Sequence, residues 1–208
     1  NFAYQEPNLL CPSDGAGRRK LPHEYGRNNY VFCLGDSISN NDWVVPNPVT
    51  ANSGFQPPRG VFGWHTGTRI SDIRDGTSNT IAMSERVIAF DPQSIKGGIV
   101  PEKVDENYTP STCLAYAGRD GLLTRPGVAL SGLCWVNGHA CFVGFTTCLP
   151  PNAPSCGLTT QPAGYFKGGS GGIYSASSYH PGGVNVLMAD GSVHFVSNAI
   201  DAGDLRLS

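Results

Sequence analysis

HPGGVNVLMADGSVHFV, at residues 180–196, has the chemistry and the spacing of a single β-hairpin. β-Branched and apolar residues fill both arms, and the dipeptide Asp190-Gly191 lies between them. Asp-Gly suits the two positive-φ positions of a type I′ turn, which joins antiparallel strands through two residues. The stretch therefore predicts an antiparallel hairpin that turns at Asp190 and Gly191.

The predicted turn also determines which side chains share a face of this hairpin. A two-residue loop places Met188 opposite Val193 and Val186 opposite Phe195. Because successive side chains of a strand alternate between faces, one face becomes a stripe that packs on the core. The predicted stripe contains Val184, Val186, Met188, Val193 and Phe195, and the opposite face contains Asn185, Leu187, His194 and Val196.

His180, Asp190 and His194 are residue types that bind metals or transfer protons, but the hairpin separates them. Nine residues lie between His180 and Asp190, and extended chain at ~3.3 Å per residue places the two about 20 Å or more apart. His194 lies across the turn, where a lone histidine is typically packed or hydrogen-bonded. The sequence therefore predicts structural roles, with His180 held extended by Pro181 as a hydrogen-bonded anchor at the mouth of the hairpin.

The composition is that of one turn-rich domain. The chain has 208 residues and a formal net charge of −2. This length suits a single domain over residues 1–208, and the small charge gives no electrostatic reason to expect nucleic acid or an anionic membrane surface. Charged residues make up only 14%, whereas there are 27 glycines and 16 prolines. Short strands joined by long loops are therefore expected.

Seven cysteines in such a chain indicate an oxidising compartment outside the cytoplasm. No pair has the Cys-x2-Cys or Cys-x4-Cys spacing that is typical of zinc sites. Cys148 and Cys156 close a short loop with three prolines and form the first predicted disulfide. Cys134 and Cys141 flank an Asn-Gly dipeptide, where a two-residue turn sets Cα atoms ~5.5 Å apart, and they form the second.

Four further segments have a readable secondary structure. Residues 30–34 and 80–85 have the apolar character of buried strands. Residues 133–147 are predicted to form a second hairpin, built on Asn-Gly. Residues 71–74 are predicted to make one helical or 3₁₀ turn, with Ser71 as its cap.

Glu85 ends the predicted strand 80–85 on the same face as Ile81 and Met83. A carboxylate on an apolar face needs a hydrogen-bonding partner or water. The sequence offers two partners for it, His180 and Arg69.

No sequence pattern indicates catalysis or a bound cofactor. The chain lacks the His-Glu-x-x-His motif, and its glycine-rich stretch 164–172 lacks the Lys-Ser/Thr ending of a phosphate loop. Its aspartates lie in separate turns, which does not match the alternate spacing of a calcium loop. The prediction is therefore that the chain is not an enzyme and has no catalytic, cofactor-binding or metal-binding residues.

Four motifs give the chain a family resemblance. Residues 10–14 read LCPSD, residues 69–80 read RISDIRDGTSNT, and residues 149–152 read LPPN with Cys156 shortly after. The fourth motif is His180, nine residues, then Asp-Gly. In this order the motifs resemble the bacterial prepilin-type-processing-associated proteins, a pseudopilin-like family of unknown function with a C-terminal His-x9-Asp-Gly signature.

The resemblance implies an α+β, mainly β fold: an antiparallel sheet with long loops, like a pseudopilin or type IV pilin head domain. It also implies a non-catalytic structural or accessory subunit of a type IV pilus or type II secretion pseudopilus, at the cell surface, extracellular or periplasmic. Such a subunit assembles into a filament with itself or with pilin-like partners.

Members of that family begin with a prepilin leader and a long apolar helix that carries a cysteine. The sequence that starts at Asn1 shows neither, so it is expected to be a soluble head domain whose membrane link is the missing helix. The resemblance places Cys11 near the cysteine of that helix, which leaves Cys33 and Cys113 for each other by elimination.

An alternative function is a secreted cell-surface module that binds glycans or other partners through exposed aromatic rings. The exposure of Trp43, Trp64 and Trp135 discriminates the two functions. Coplanar exposed rings favour the binding module, and buried rings exclude it.

Overall fold

The computed structural model describes residues 3–19, 25–38, 41, 59–63, 66–104, 107–157 and 171–206. Trp43, Trp64 and residues 164–170 of the glycine-rich stretch lie outside them. Every helix in the described part is short, and none combines the length and apolar character needed to cross a membrane.

The described chain is mainly β with few helices, which confirms that part of the prediction. The strands are β1 Tyr30–Cys33, β2 Phe62–Gly63, β3 Thr66–Gly67, β4 Ile81–Glu85, β5 Gly98–Pro101, β6 Val128–Ala129, β7 Gly144–Phe145, β8 Ser155–Gly157, β9 Gly172–Ile173, β10 Gly183–Met188 and β11 Val193–Ser197. The helices are α1 Pro110–Leu114 and α2 Ala140–Val143, with 3₁₀ turns at Pro7–Leu9, Gly15–Arg18, Ile70–Asp72, Thr77–Asn79 and Arg119–Gly121.

These strands form two larger sheets and one ribbon. A five-stranded sheet has the order β11-β10-β4-β1-β7, a four-stranded sheet has the order β6-β5-β8-β9, and β2 pairs with β3. The expectation of an antiparallel sheet is wrong, because β1 pairs with β7 and β5 with β8 in parallel. Parallel neighbours need long crossover connections, and the long loops of this chain supply them.

The five-stranded sheet buries one face. Strands β1 and β4 lie where the sequence predicts strands, and Val31, Val184 and Val186 are buried on this face with Phe145 and Ala176. On the second face, Phe32 pairs with Met83, Met83 with Leu187, and Leu187 with Val193. This face therefore carries Phe32, Met83, Leu187, Val193 and Phe195. We call these five residues the outer face.

The last hairpin exists, but its predicted register is wrong by one residue. Val193 pairs with Leu187, and Phe195 pairs with Asn185. A one-residue slip moves every side chain of a strand to the other face. Val193 and Phe195, predicted in the core stripe, are therefore 65% and 54% exposed on the outer face.

The slip has its cause in the turn. Only Gly191 has a positive φ, 89°, whereas a type I′ turn needs two such residues in succession. The N–H of Met188 donates to the carbonyl of Ser192, and the N–H of Gly191 donates to the carbonyl of Met188. The loop therefore has three residues, 189–191, with glycine at its positive-φ position.

The predicted turn role of Asp190 is supported by its contacts. Its Oδ1 accepts from the N–H and the hydroxyl of Ser192 at 2.9 and 2.7 Å. These bonds hold the pKa of the exposed carboxyl below its ordinary value. His194 is exposed, and its Nε2 lies 3.0 Å from the same Ser192 hydroxyl.

The predicted hairpin at residues 133–147 is absent. Asn137 and Gly138 lack the positive φ values that its turn requires. Instead the Asn137 side chain accepts from the N–H of His139 at 3.0 Å, and helix α2 begins directly after His139. The Asn137 side chain therefore bonds to the local backbone here, and the chain does not form the predicted two-residue hairpin turn. The 3₁₀ turn near Ser71 is confirmed, but Arg69 is its cap residue.

The predicted disulfides are wrong in their pairing. Cys113 is bonded to Cys156, while the other five cysteines, Cys148, Cys134, Cys141, Cys33 and Cys11, form no disulfide. Cys156 lies on β8, and its partner lies on α1, so the bridge fastens this helix to the four-stranded sheet. The Cys148 thiol donates to the Asp36 carbonyl.

We expect Gly191→Val to lower the free energy of unfolding by about 1–3 kcal/mol, because a β-branched residue is strained at positive φ. No heavy atom lies within 4 Å of an added Cβ at this position, so the loss reports backbone strain alone. Thermal and urea melts measure it. Gly191→Asn is the matched control and should lose much less, since asparagine tolerates this conformation; equal losses would contradict the turn.

Replacing Cys113 with alanine should cost about 2–4 kcal/mol, since the bridge closes a long loop in the unfolded chain. Peptide mapping without reductant should recover Cys113 joined to Cys156. Cys148→Ala is the control, and it should leave that linked peptide intact. A peptide joining Cys148 to Cys156 would refute the pairing.

Candidate functional site

Three reactive side chains from distant parts of the sequence meet at the end of β4. The Nε2 of His180 lies 3.1 Å from the Oε1 of Glu85 and 3.6 Å from the Sγ of Cys11. The thiol donates to the same carboxylate oxygen at 3.8 Å. We call these residues the Cys11–Glu85–His180 centre.

Glu85 is the buried member of this centre. Its side chain is only 6% exposed, against 29% for His180. The Oε2 atom accepts from the backbone N–H of Asn185 at 2.8 Å, which leaves Oε1 for the histidine and the thiol. Of the two partners predicted for this carboxylate, His180 is confirmed. The predicted pairing of Glu85 with Arg69 is wrong, because Arg69 is an exposed residue whose backbone N–H donates to Asp72.

Cys11 is held by the LCPSD motif and by one buried asparagine. The Oδ1 of Asn29 accepts from the N–H of Cys11 at 2.9 Å, and the Nδ2 of Asn29 donates to the Oδ2 of Asp14 at 2.7 Å. Asp14 also accepts from the N–H of Ile88, three residues beyond Glu85. The motif is therefore tied to the chain that follows β4, which brings Cys11 to Glu85.

His180 is positioned by the turn that precedes β10. The hydroxyl of Ser178 accepts from the N–H of His180 at 3.0 Å and donates to the carbonyl of Gly183 at 2.7 Å. The Pro-Pro-Asn motif supports this turn, since the Oδ1 of Asn152 accepts from the N–H of Ser178. The predicted role of His180 as a hydrogen-bonded anchor is supported by these contacts.

An apolar groove adjoins the centre on the outer face of the sheet. It has a volume of about 300 Å³ and is lined mainly by Leu9, Tyr30, Met83, Leu187 and Val193, with Glu85 at its polar end. Burial raises the pKa of Tyr30, and the neighbouring Cys11 and Glu85 add to the rise. Tyr30 therefore keeps its proton and serves as a neutral wall of the groove.

The geometry restricts what the centre can do. In a nucleophile–histidine–acid triad, the histidine uses one ring nitrogen for the nucleophile and the other for the acid. Here the thiol and the carboxylate both contact Nε2. The three ligand atoms lie within 4.8 Å of one another, and among the described residues they are the one group of at least three such side chains that can hold a metal ion.

The structure separates the three residues weighed together in the sequence. His180 belongs to the centre, while Asp190 and His194 contact Ser192 in the hairpin turn. Cys11 was missed as its neighbour, because positions 11, 85 and 180 share no periodicity that a sequence displays. The one available signal was Glu85, a carboxylate at the end of an apolar strand.

The fold and centre together define the class of protein. It is a mainly β domain with mixed sheets, in which an N-terminal thiol, a strand-end carboxylate and a C-terminal histidine converge. Comparison with family profiles matches residues 3–203 to the family described as "Protein of unknown function (DUF1559)", and the chain belongs to this family. Searches of the curated proteins and of the solved structures found no significant match.

A double-mutant cycle tests whether Glu85 and His180 act as a buried pair. We expect Glu85→Gln and His180→Ala to show a coupling free energy of about 1–3 kcal/mol in urea unfolding, since the carboxylate is desolvated. The matched control is the more exposed pair of Glu102 and Arg125, which should couple by less than about 1 kcal/mol. Equal coupling in both cycles would contradict the buried pair.

Proposed function

We propose that this chain is a non-catalytic extracellular structural or accessory subunit of a pilin-like assembly. It docks onto a second copy or a pilin-like partner through the outer face of its five-stranded sheet. The observation that carries the proposal is the exposure of that face, where Val193, Phe195 and Phe32 are 65%, 54% and 39% exposed. Contiguous exposed apolar side chains are typical of surfaces that bind a partner.

The strand that carries two of these residues is also an edge. β11 ends the order β11-β10-β4-β1-β7, so one side of its backbone lacks a strand partner among the described residues. Uncovered edges accept strands from other chains, and backbone hydrogen bonds then add to apolar contact. An exposed apolar face beside an edge strand therefore suits repeated assembly.

Two other features support a subunit that is extracellular and non-catalytic. The Cys113–Cys156 bridge suits an oxidising compartment. At the Cys11–Glu85–His180 centre, both contacts fall on one ring nitrogen, which does not favour a proton relay.

The alternative of a glycan-binding module gains nothing from Trp135. This side chain is half-buried, and its Nε1 donates to the carbonyl of Tyr4 at 2.9 Å. A ring fixed in this way does not form the open platform that such a module needs.

Sedimentation velocity over a range of concentrations tests whether copies of the chain associate through the outer face. We expect Phe195→Lys to weaken self-association by about tenfold or more, because burying a phenylalanine contributes about 1.5–3 kcal/mol. His194→Lys is the matched control, since it adds the same charge on the opposite face of β11. A wild-type chain that stays monomeric throughout, or equal effects of both variants, would overturn self-association through this face.

The coding sequence upstream of Asn1 tests the pilin-like assembly separately. A prepilin leader followed by an apolar helix is the expected finding. An upstream sequence that encodes neither would remove the support for a filament subunit.

A further inference from the structure

We propose that Cys11, Glu85 and His180 bind a zinc ion, which the Cys11 thiolate, the Glu85 Oε1 and the His180 Nε2 coordinate. Thiolate, carboxylate and imidazole are the three ligand types that proteins offer to zinc. The inference is independent of the proposed docking, because none of Cys11, Glu85 and His180 is among the five residues of the outer face.

The distances between the three atoms fit one ion. About 2.3 Å for Zn–S and about 2.0–2.1 Å for Zn–N and Zn–O, at tetrahedral angles, require roughly 3.3 Å between nitrogen and oxygen and roughly 3.5–3.6 Å from sulfur to either. The observed separations are 3.1 Å for His180 to Glu85, 3.6 Å for Cys11 to His180 and 3.8 Å for Cys11 to Glu85. Shifts of a few tenths of an ångström therefore suffice.

Hydrogen bonds from neighbouring residues also hold each of the three residues in place. Asn29 fixes the backbone of Cys11, the Asn185 N–H occupies the second oxygen of Glu85, and Ser178 fixes the backbone of His180. Hydrogen-bonding partners of this kind orient the ligand residues without occupying the atoms that coordinate the ion. The centre needs little rearrangement to bind.

The charges and donor types favour zinc over calcium and magnesium. Binding releases the thiol proton of Cys11 to solvent. The negative charges of one thiolate and one carboxylate, with a neutral imidazole, then balance the charge of a divalent cation in a largely desolvated site. Calcium and magnesium require oxygen ligands, whereas sulfur with imidazole suits zinc. Three protein ligands leave a fourth position, which water fills from the side where His180 is 29% exposed.

Isothermal titration of the metal-free full chain with zinc tests the site. We expect one ion per chain, and cobalt in its place should show sulfur-to-metal charge-transfer absorption with tetrahedral ligand-field bands. Cys11→Ser and His180→Gln should each weaken binding by more than about tenfold, since loss of even an outer-shell partner costs that much. Cys134→Ser is the matched control, a buried free thiol outside the centre, and should bind as wild type.

A second measurement needs no variant. Zinc should slow alkylation of Cys11 by iodoacetamide in the wild-type chain, as followed by peptide mass spectrometry, while alkylation of Cys134 should keep its rate. Unchanged alkylation of Cys11 at saturating zinc, or equal zinc affinity in Cys11→Ser and wild type, would overturn the site.

Discussion

The burial of one carboxylate imposes the constraint on which the rest of this structure depends. Glu85 ends a strand whose other outward side chain, Met83, is apolar, and its own side chain is 6% exposed. A desolvated carboxylate is tolerated only when its oxygens are hydrogen-bonded. The N–H of Asn185 satisfies one oxygen, and His180 with Cys11 satisfies the other. The buried carboxylate at the end of β4 therefore requires contacts from two distant segments of the sequence, the one with Cys11 and the one with His180 and Asn185.

This requirement gives the four sequence motifs one common purpose. LCPSD supplies Cys11 and is fastened beside β4 through Asn29 and Asp14. RISDIRDGTSNT forms the two 3₁₀ turns that lead into β4. The Pro-Pro-Asn loop supports the turn of His180 through Asn152, and the final motif supplies His180 with its hairpin. Motifs that look independent in the sequence thus support a single centre.

Local chemistry made part of the fold predictable. Strands β1 and β4 and the turn at Ile70–Asp72 follow from apolar runs and turn residues, and the anchor role of His180 follows from Pro181. The register of the last hairpin could not be predicted in this way. Asp-Gly fits a two-residue loop, and it also fits a three-residue loop in which only Gly191 has positive φ. The disulfide was also unpredictable, since its cysteines are 43 residues apart in the sequence, and one of them lies on β8, which pairs in parallel with β5.

The observed register of β11 affects the outer face but not the Cys11–Glu85–His180 centre. Strand β10 has the same inward and outward residues in both registers, so Val184 and Val186 are buried and Asn185 lies beside Glu85 in either case. Only β11 changes, and its slip takes Val193 and Phe195 out of the predicted core stripe and exposes them. The centre therefore depends on β4, on β10 with the turn before it, and on the segment of Cys11, whereas the outer face depends on β11 as well. A change to the outward side chains of β11 alters the apolar surface without touching any of the ligands at the end of β4.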